Sequence, residues 1–255
     1  MPQLQLGDDM QLHYVLIEGD RHKPLLVFLH EGLGCIAMWK DFPERLCAAT
    51  GCAGLVYDRL GYGQSSPQRE SRSIHYLHQY ALSELPAVIA GLAQGRDHIV
   101  VGHSDGGSIA LIYAAGRPPG LRGVVTAAAH VFVEEMTLDG IRSAVCAHAA
   151  GKLRGLSRYH GGKAGEVFAA WADTWLAPPF KHWSIEYLLP SIDCPVLAVQ
   201  GSGDQYGSQA QLDTIERGVP GARQQVLPGC GHSPHLDQPE ATAQAMAGFI
   251  IPLAG

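Results

Sequence analysis

Val100-Val101-Gly102-His103-Ser104-Asp105-Gly106-Gly107 is the stretch on which the fold turns. A short apolar run, residues 99–101, meets a run of small residues across a bend that holds one serine. The pattern predicts a strand that reverses into a helix starting near Asp105, within a turn too tight for bulky neighbours. Glycines at 102 and 106 permit that turn. Such a bend lifts the serine oxygen out of the backbone and aims the amide N–H groups that follow, at a helix N-terminus, toward whatever the oxygen attacks. Gly-x-Ser-x-Gly alone also describes an ordinary turn. The flanking chain has to separate the two.

Upstream, residues 4–6 and 10–18 alternate like a strand pair, with Gly7-Asp8-Asp9 as the turn between them. Residues 25–29 form a continuous apolar run, as in a strand covered on both faces, and lead into His30-Glu31-Gly32-Leu33-Gly34. A helix over about 37–49 and a strand over 55–57 follow, the strand ending in Asp58-Arg59-Leu60-Gly61-Tyr62-Gly63. Residues 74–92 carry apolar side chains at helical spacing, with Pro86 expected to kink the helix or mark a boundary. Past the serine come a helix over 108–115 and a buried strand over 121–126. After Pro195 come a strand over 196–199, a helix over 209–217, a strand over 224–227 and a last helix over 239–250. This alternation specifies an α/β fold, a mostly parallel, doubly wound sheet with helices on both faces.

Between His130 and Cys194 the rhythm breaks, over a length too great for a structureless loop. Residues 138–148 and 165–176 look helical. The segment is rich in aromatic residues, among them Trp171 and Trp175, which either pack as core or face a ligand. The expected organisation is one core domain, 1–130 and 191–255, carrying a helical insertion, 131–190.

Composition narrows the function. The net charge is -6 and the 18 Lys and Arg residues form no run, which excludes a nucleic-acid partner of the usual basic kind. No apolar run reaches membrane-spanning length and the N-terminus has neither a basic start nor an apolar core, so a cytoplasmic protein with reduced thiols and no membrane partner is expected. Cysteines 35, 47, 52, 146, 194 and 230 show no Cys-x-x-Cys spacing, and the 13 histidines show no His-Glu-x-x-His. No metal and no cofactor are expected; the partner is a small-molecule substrate.

In an open parallel sheet, functional groups collect on loops after the C-terminal ends of strands. Here those loops are His30 to Gly34, the Ser104 turn, Gly201-Ser202-Gly203-Asp204-Gln205 and Pro228-Gly229-Cys230-Gly231-His232-Ser233. They supply a serine, an acid and a histidine in that chain order, the parts of a nucleophile, an orienting carboxylate and a general base. His235, Asp237, Asp193 and Cys230 are the competing candidates. His232 follows the glycine turn directly, Asp204 ends a strand as the other acids do not, and Ser104, not Cys230, occupies the strained turn.

With these pieces in place, the sequence resembles the α/β-hydrolase superfamily over nearly its whole length. The matching pieces are His30 through Gly34, Asp58 through Ser65, the elbow from Gly102 to Gly106, Asp204 in Gly-Asp-Gln-Tyr-Gly, and Gly231-His232. The resemblance implies that the insertion is a helical cap over an active site. It implies an esterase-like serine hydrolase that cleaves an ester, lactone or thioester through an acyl-enzyme on Ser104, with His232 as base and Asp204 orienting it. The oxyanion would be met by backbone N–H groups of Asp105 and Gly32, with Leu33 the alternative if the loop is registered one residue later. The same fold and triad also support carbon–carbon bond cleavage in a diketone-like substrate, or a low-turnover ligand receptor.

Glu31 departs from the commoner His-Gly-x pattern. A carboxylate at an oxyanion site opposes catalysis, so its side chain is expected to turn away and be held by a hydrogen bond or cation; the alternative is a role in binding a polar or cationic substrate group. His130, at the junction with the insertion, either lines the pocket or is a satisfied buried histidine.

Overall fold

The computed structural model describes residues 2–7, 10–69 and 71–255. Asp8 and Asp9 of the expected first turn lie outside the described residues. Eight strands form one sheet: β1 (Gln3–Gly7), β2 (Met10–Ile17), β3 (Leu25–Leu29), β4 (Gly54–Tyr57), β5 (His98–His103), β6 (Leu121–Ala127), β7 (Val196–Gly201) and β8 (Arg223–Leu227). Their spatial order is β1-β2-β4-β3-β5-β6-β7-β8. From β4 to β8 every pairing is parallel, and β1 and β2 form an antiparallel edge.

The apolar runs form the central strands because each side chain finds a covered face. Side chains alternate across a strand. Leu25, Val27 and Leu29 of β3 therefore join one core cluster with Val100, Val124 and Val196, while Leu26 and Phe28 join a second with Ile99, Val101 and Val125. Helices cover both faces. The second cluster packs on α1 (Phe42–Thr50) and, near the C-terminus, on Met246 and Ile250.

Two helices differ from their sequence pattern, both at prolines. The expected helix over 37–49 is a 3-10 turn, Ile36–Trp39, followed by α1, with Lys40 at φ 57 between them. Pro43 sits in the first turn of α1, where its missing N–H costs no helix bond. Residues 74–92 resolve into α2 (Tyr76–Gln79), a π-helical turn, Tyr80–Glu84, and α3 (Leu85–Leu92). Pro86 lies in the first turn of α3, and the ladder widens just before the residue that cannot donate to it.

The bend at Ser104 leads into α4 (Asp105–Ala115), buried along most of its length. Between β6 and β7 the chain forms α5 (Glu135–Ala149), α6 (Ser157–His160), α7 (Ala164–Leu176) and several 3-10 turns. This helical insertion is tied to the core by polar bonds. Gly63 N–H donates to His160 Nδ1 at 2.9 Å, His160 Nε2–H donates to the Leu33 carbonyl at 2.9 Å, and Lys163 Nζ donates to the Tyr62 and Ser65 carbonyls. The chain closes with α8 (Gln209–Gly218), α9 (Pro234–Asp237) and α10 (Pro239–Ile250). Among the described residues no helix is long and apolar enough to cross a membrane.

Candidate active site

Register brings the four loops to one edge of the sheet. Leu29 pairs with Gly102, and Gly201 with Leu227, so the segments that follow emerge side by side. At the bend, Ser104 adopts φ 52, ψ -117, a conformation that L-residues rarely take. The glycines around it are required by close approach. A Cβ on Gly102 would lie 2.2 Å from the Gly106 carbonyl oxygen, and one on Gly106 would lie 2.0 Å from that of Leu29.

Ser104, Asp204 and His232 meet there. His232 Nε2 is 3.0 Å from Ser104 Oγ and Nδ1 is 2.8 Å from Asp204 Oδ1. Nδ1–H donates to the carboxylate, which leaves Nε2 unprotonated as acceptor for the serine hydroxyl. The three are 8%, 7% and 9% exposed, enough to be reached from the cavity and too little for bulk water to screen the pair. Burial pushes the Asp204 carboxyl up, but the bond from His232, the His232 charge and the Tyr206 N–H at 2.8 Å together hold it below the usual carboxylate range.

The competing candidates are engaged elsewhere. His235 packs between Trp39 and His103, and burial lowers it to about 4. Asp237 accepts the Gly231 N–H, Asp193 pairs with Arg117 at the surface, and burial, then the Asp237 charge, pushes the Cys230 thiol up to about 11. His103, beside the serine, donates Nε2–H to the His232 carbonyl at 2.8 Å and so holds the backbone of that loop.

A cavity of about 60 Å³ opens beside Ser104, lined by Glu31, Gly32, Leu33, Asp105, Trp171, Trp175 and others. Gly32, Leu33 and Asp105 thus share the space in front of the serine. The Asp105 N–H belongs to the first turn of α4, where no intrahelical acceptor exists. His130 lines the cavity, and its Nε2–H donates to the Tyr206 carbonyl at 3.0 Å while its buried Nδ1 has no hydrogen-bond partner.

Glu31 does not turn away, as the first expectation had it. It lines the cavity with Ser104 and His232, and the cation behind it, Arg59, is bound to its backbone carbonyl rather than its carboxylate. Gly34 N–H donates to the Glu31 carbonyl at 3.1 Å, which closes a tight turn over residues 31–34. Burial raises the carboxyl, His232 and Arg59 lower it, and Asp105 raises it further.

The bonds that hold Trp175, and three further residues of the lining, carried little sequence signal. Trp175 Nε1–H donates to Tyr76 Oη at 2.8 Å, and Tyr76 O–H donates to Asp105 Oδ2 at 2.7 Å, a buried chain that joins α7, α2 and α4. Thr137, Ile141 and Tyr206 complete the lining, with the Tyr206 ring 4.8 Å from that of His232. Only Tyr206 could have been noticed, two residues beyond Asp204. Among the described residues no cluster of His, Cys, Asp and Glu is arranged to hold a metal ion.

Known proteins share this plan. The chain is 28% identical over 191 residues to the serine hydrolase BPHL of Homo sapiens, an alignment covering 71% of this chain and 64% of that protein, so the chain spans less than two thirds of that relative. It is 25% identical over 268 residues to an sn-1-specific diacylglycerol lipase of Mus musculus, covering 94% of this chain and 85% of the lipase. A thermophilic esterase from Thermogutta terrifontis matches with a TM-score of 0.78 at 18% identity, over 100% of both chains, a likeness of fold alone. The sequence model of the alpha/beta hydrolase family matches residues 26–245, which takes in the elbow, the parallel strands almost entirely and the inserted helices but not the antiparallel edge, and the chain therefore belongs to the alpha/beta hydrolase family.

Proposed function

We propose that this hydrolase cleaves a small ester, lactone or thioester through an acyl-enzyme on Ser104, with residues 131–190 as the cap of its active site. The observation that carries this reading is the unbroken chain from Asp204 through His232 to Ser104 Oγ, at 2.8 and 3.0 Å, on a strained bend.

A serine hydroxyl is a weak nucleophile at neutral pH, so His232 Nε2 takes its proton as Oγ attacks the carbonyl carbon. Asp204 holds the ring in the tautomer this needs and stabilises the imidazolium that results. The carbonyl oxygen becomes negative and is met by the N–H groups of Asp105 and Gly32. His232 then returns the proton to the leaving group, and water repeats the cycle on the acyl-enzyme. The relatives, by name a serine hydrolase and a lipase, support the reaction class.

Fluorophosphonate labelling and turnover of p-nitrophenyl acetate test the reading together. Labelling at Ser104 and release of nitrophenol, both absent from Ser104→Ala, are expected. Folded wild-type protein that does neither overturns it.

A further inference from the structure

The loop in front of Ser104 rests on a guanidinium for which the triad has no use. Arg59, just past β4, is fully buried, at 0% exposure. Its guanidinium carbon lies 4.7 Å from the Tyr62 ring centroid and 4.8 Å from that of Tyr80. A buried guanidinium ordinarily meets a carboxylate. This one spends its Nη2 on main-chain carbonyls, donating to His30 O at 3.1 Å and to Glu31 O at 2.7 Å.

The Glu31 carbonyl receives two further donors, one of them the Gly34 N–H at 3.1 Å. His30 Nδ1–H reaches it at 2.8 Å, and that tautomer is fixed because His30 Nε2 accepts the Arg59 backbone N–H at 3.1 Å. The peptide unit that ends in this carbonyl carries the Gly32 N–H on its other side. In a trans peptide the two groups point in opposite directions, and the described chain has no cis bond. Holding the carbonyl against Arg59 therefore aims the Gly32 N–H away from Arg59, on the side where Gly32 and Ser104 line the cavity together. Donation to a carbonyl also polarises its peptide, so the N–H becomes a stronger donor.

We infer that Arg59 is a positioning residue which, with His30, clamps and polarises the Glu31–Gly32 peptide so that the Gly32 N–H meets the oxyanion formed when Ser104 attacks. This rests on the acyl-enzyme reading above. Arg59 touches no reacting atom; it acts through one peptide plane, and its charge lies behind the developing negative oxygen.

The test compares wild-type protein with Arg59→Met and Arg59→Lys on p-nitrophenyl acetate, with rates normalised to the sites that a fluorophosphonate labels at completion. Each protein is also titrated with phenylboronic acid, whose tetrahedral serine adduct carries the negative charge of the intermediate. Deleting an oxyanion donor costs about 10²–10³ in kcat, and a donor that is misaimed and less polarised costs less. Arg59→Met is expected to lose on the order of 10- to 100-fold in kcat per labelled site, with KM within about twofold, and to weaken phenylboronate by a matching factor. Arg59→Lys is expected to fall between it and wild type. A merely structural role lowers the labelled fraction and leaves kcat per site and boronate affinity unchanged, and that result overturns the inference. If Arg59→Met does not fold, Arg59→Lys decides by the same two numbers, and wild-type values overturn it. Wild-type protein that neither labels nor turns over overturns the serine-hydrolase reading, and this inference with it.

Discussion

Asp204 shares its Oδ1 between the His232 ring and the Tyr206 N–H, while its Oδ2 has no hydrogen-bond partner. Asparagine at 204 fills the same space but brings an amide that favours the wrong His232 tautomer. Asp204→Asn is expected to lower kcat on p-nitrophenyl acetate by about 10³–10⁴. Asp237→Asn, whose carboxylate holds the Gly231 N–H at the surface, is expected to change it by less than about threefold. The reverse ranking removes Asp204 from the proposed triad. Glu31 sets a second contrast at this scale. A partly open carboxylate–cation pair is worth up to roughly 1 kcal/mol, about fivefold in kcat/KM. Glu31→Gln should reduce the preference for a positively charged ester over its neutral isostere by about that factor, and an unchanged ratio means that the side chain meets no charge on the substrate.

The elements around the cavity differ in how much of them the sequence shows. β3 and β5 are legible because a strand covered on both faces must be apolar at every position, and Leu25 to Leu29 and Ile99 to Val101 are. The break before α1 and the π-helical turn before α3 blur because a proline fixes where a helix can resume, but not how the residues before it accommodate. Tyr76 is invisible for another reason: its partners lie 29 and 99 residues away, and a bond across such distances leaves no spacing to read. Tyr76→Phe removes the link between Asp105 and Trp175 and leaves two buried polar groups unpaired. It is expected to cost about 1–3 kcal/mol in denaturant unfolding, and a smaller loss would mean that the chain is cosmetic. On α7, Trp171 lies in the wall of the cavity beside Ser104, whose small free volume, about 60 Å³, favours a short acyl group. Over a p-nitrophenyl ester series wild-type protein should prefer acetate or butyrate, and Trp171→Ala should move the optimum toward hexanoate or longer. An optimum that does not move places the acyl group elsewhere.

Across the whole molecule, buried histidines set the response to acid. Burial lowers His30, His98, His103, His130, His160 and His235, the last to about 4, so each is held neutral. A group whose native pKa lies below its unfolded value of about 6.5 binds more protons when unfolded, so its contribution is intact above pH 6.5 and is lost as pH falls through the native value. For His235 alone the loss between pH 6.5 and 4 is roughly 3 kcal/mol. Glu84, raised to about 7 by burial, works in the opposite sense over part of that range. With six histidines against it, the melting temperature should fall steadily below pH 6.5, and a flat profile from pH 7 to 4.5 would show that these rings are not held neutral. Stability bears on Ser104 as well. Its φ of 52 and ψ of -117 cost an L-residue about 1–3 kcal/mol, a cost that glycine escapes. Ser104→Gly should therefore be inert as a catalyst and yet melt higher, by about 2–6 °C for a chain of this length. On the proposed reading the strain at Ser104 is tolerated for the sake of its hydroxyl, and the glycine form offers a sturdier vessel in which to trap an uncleaved ester.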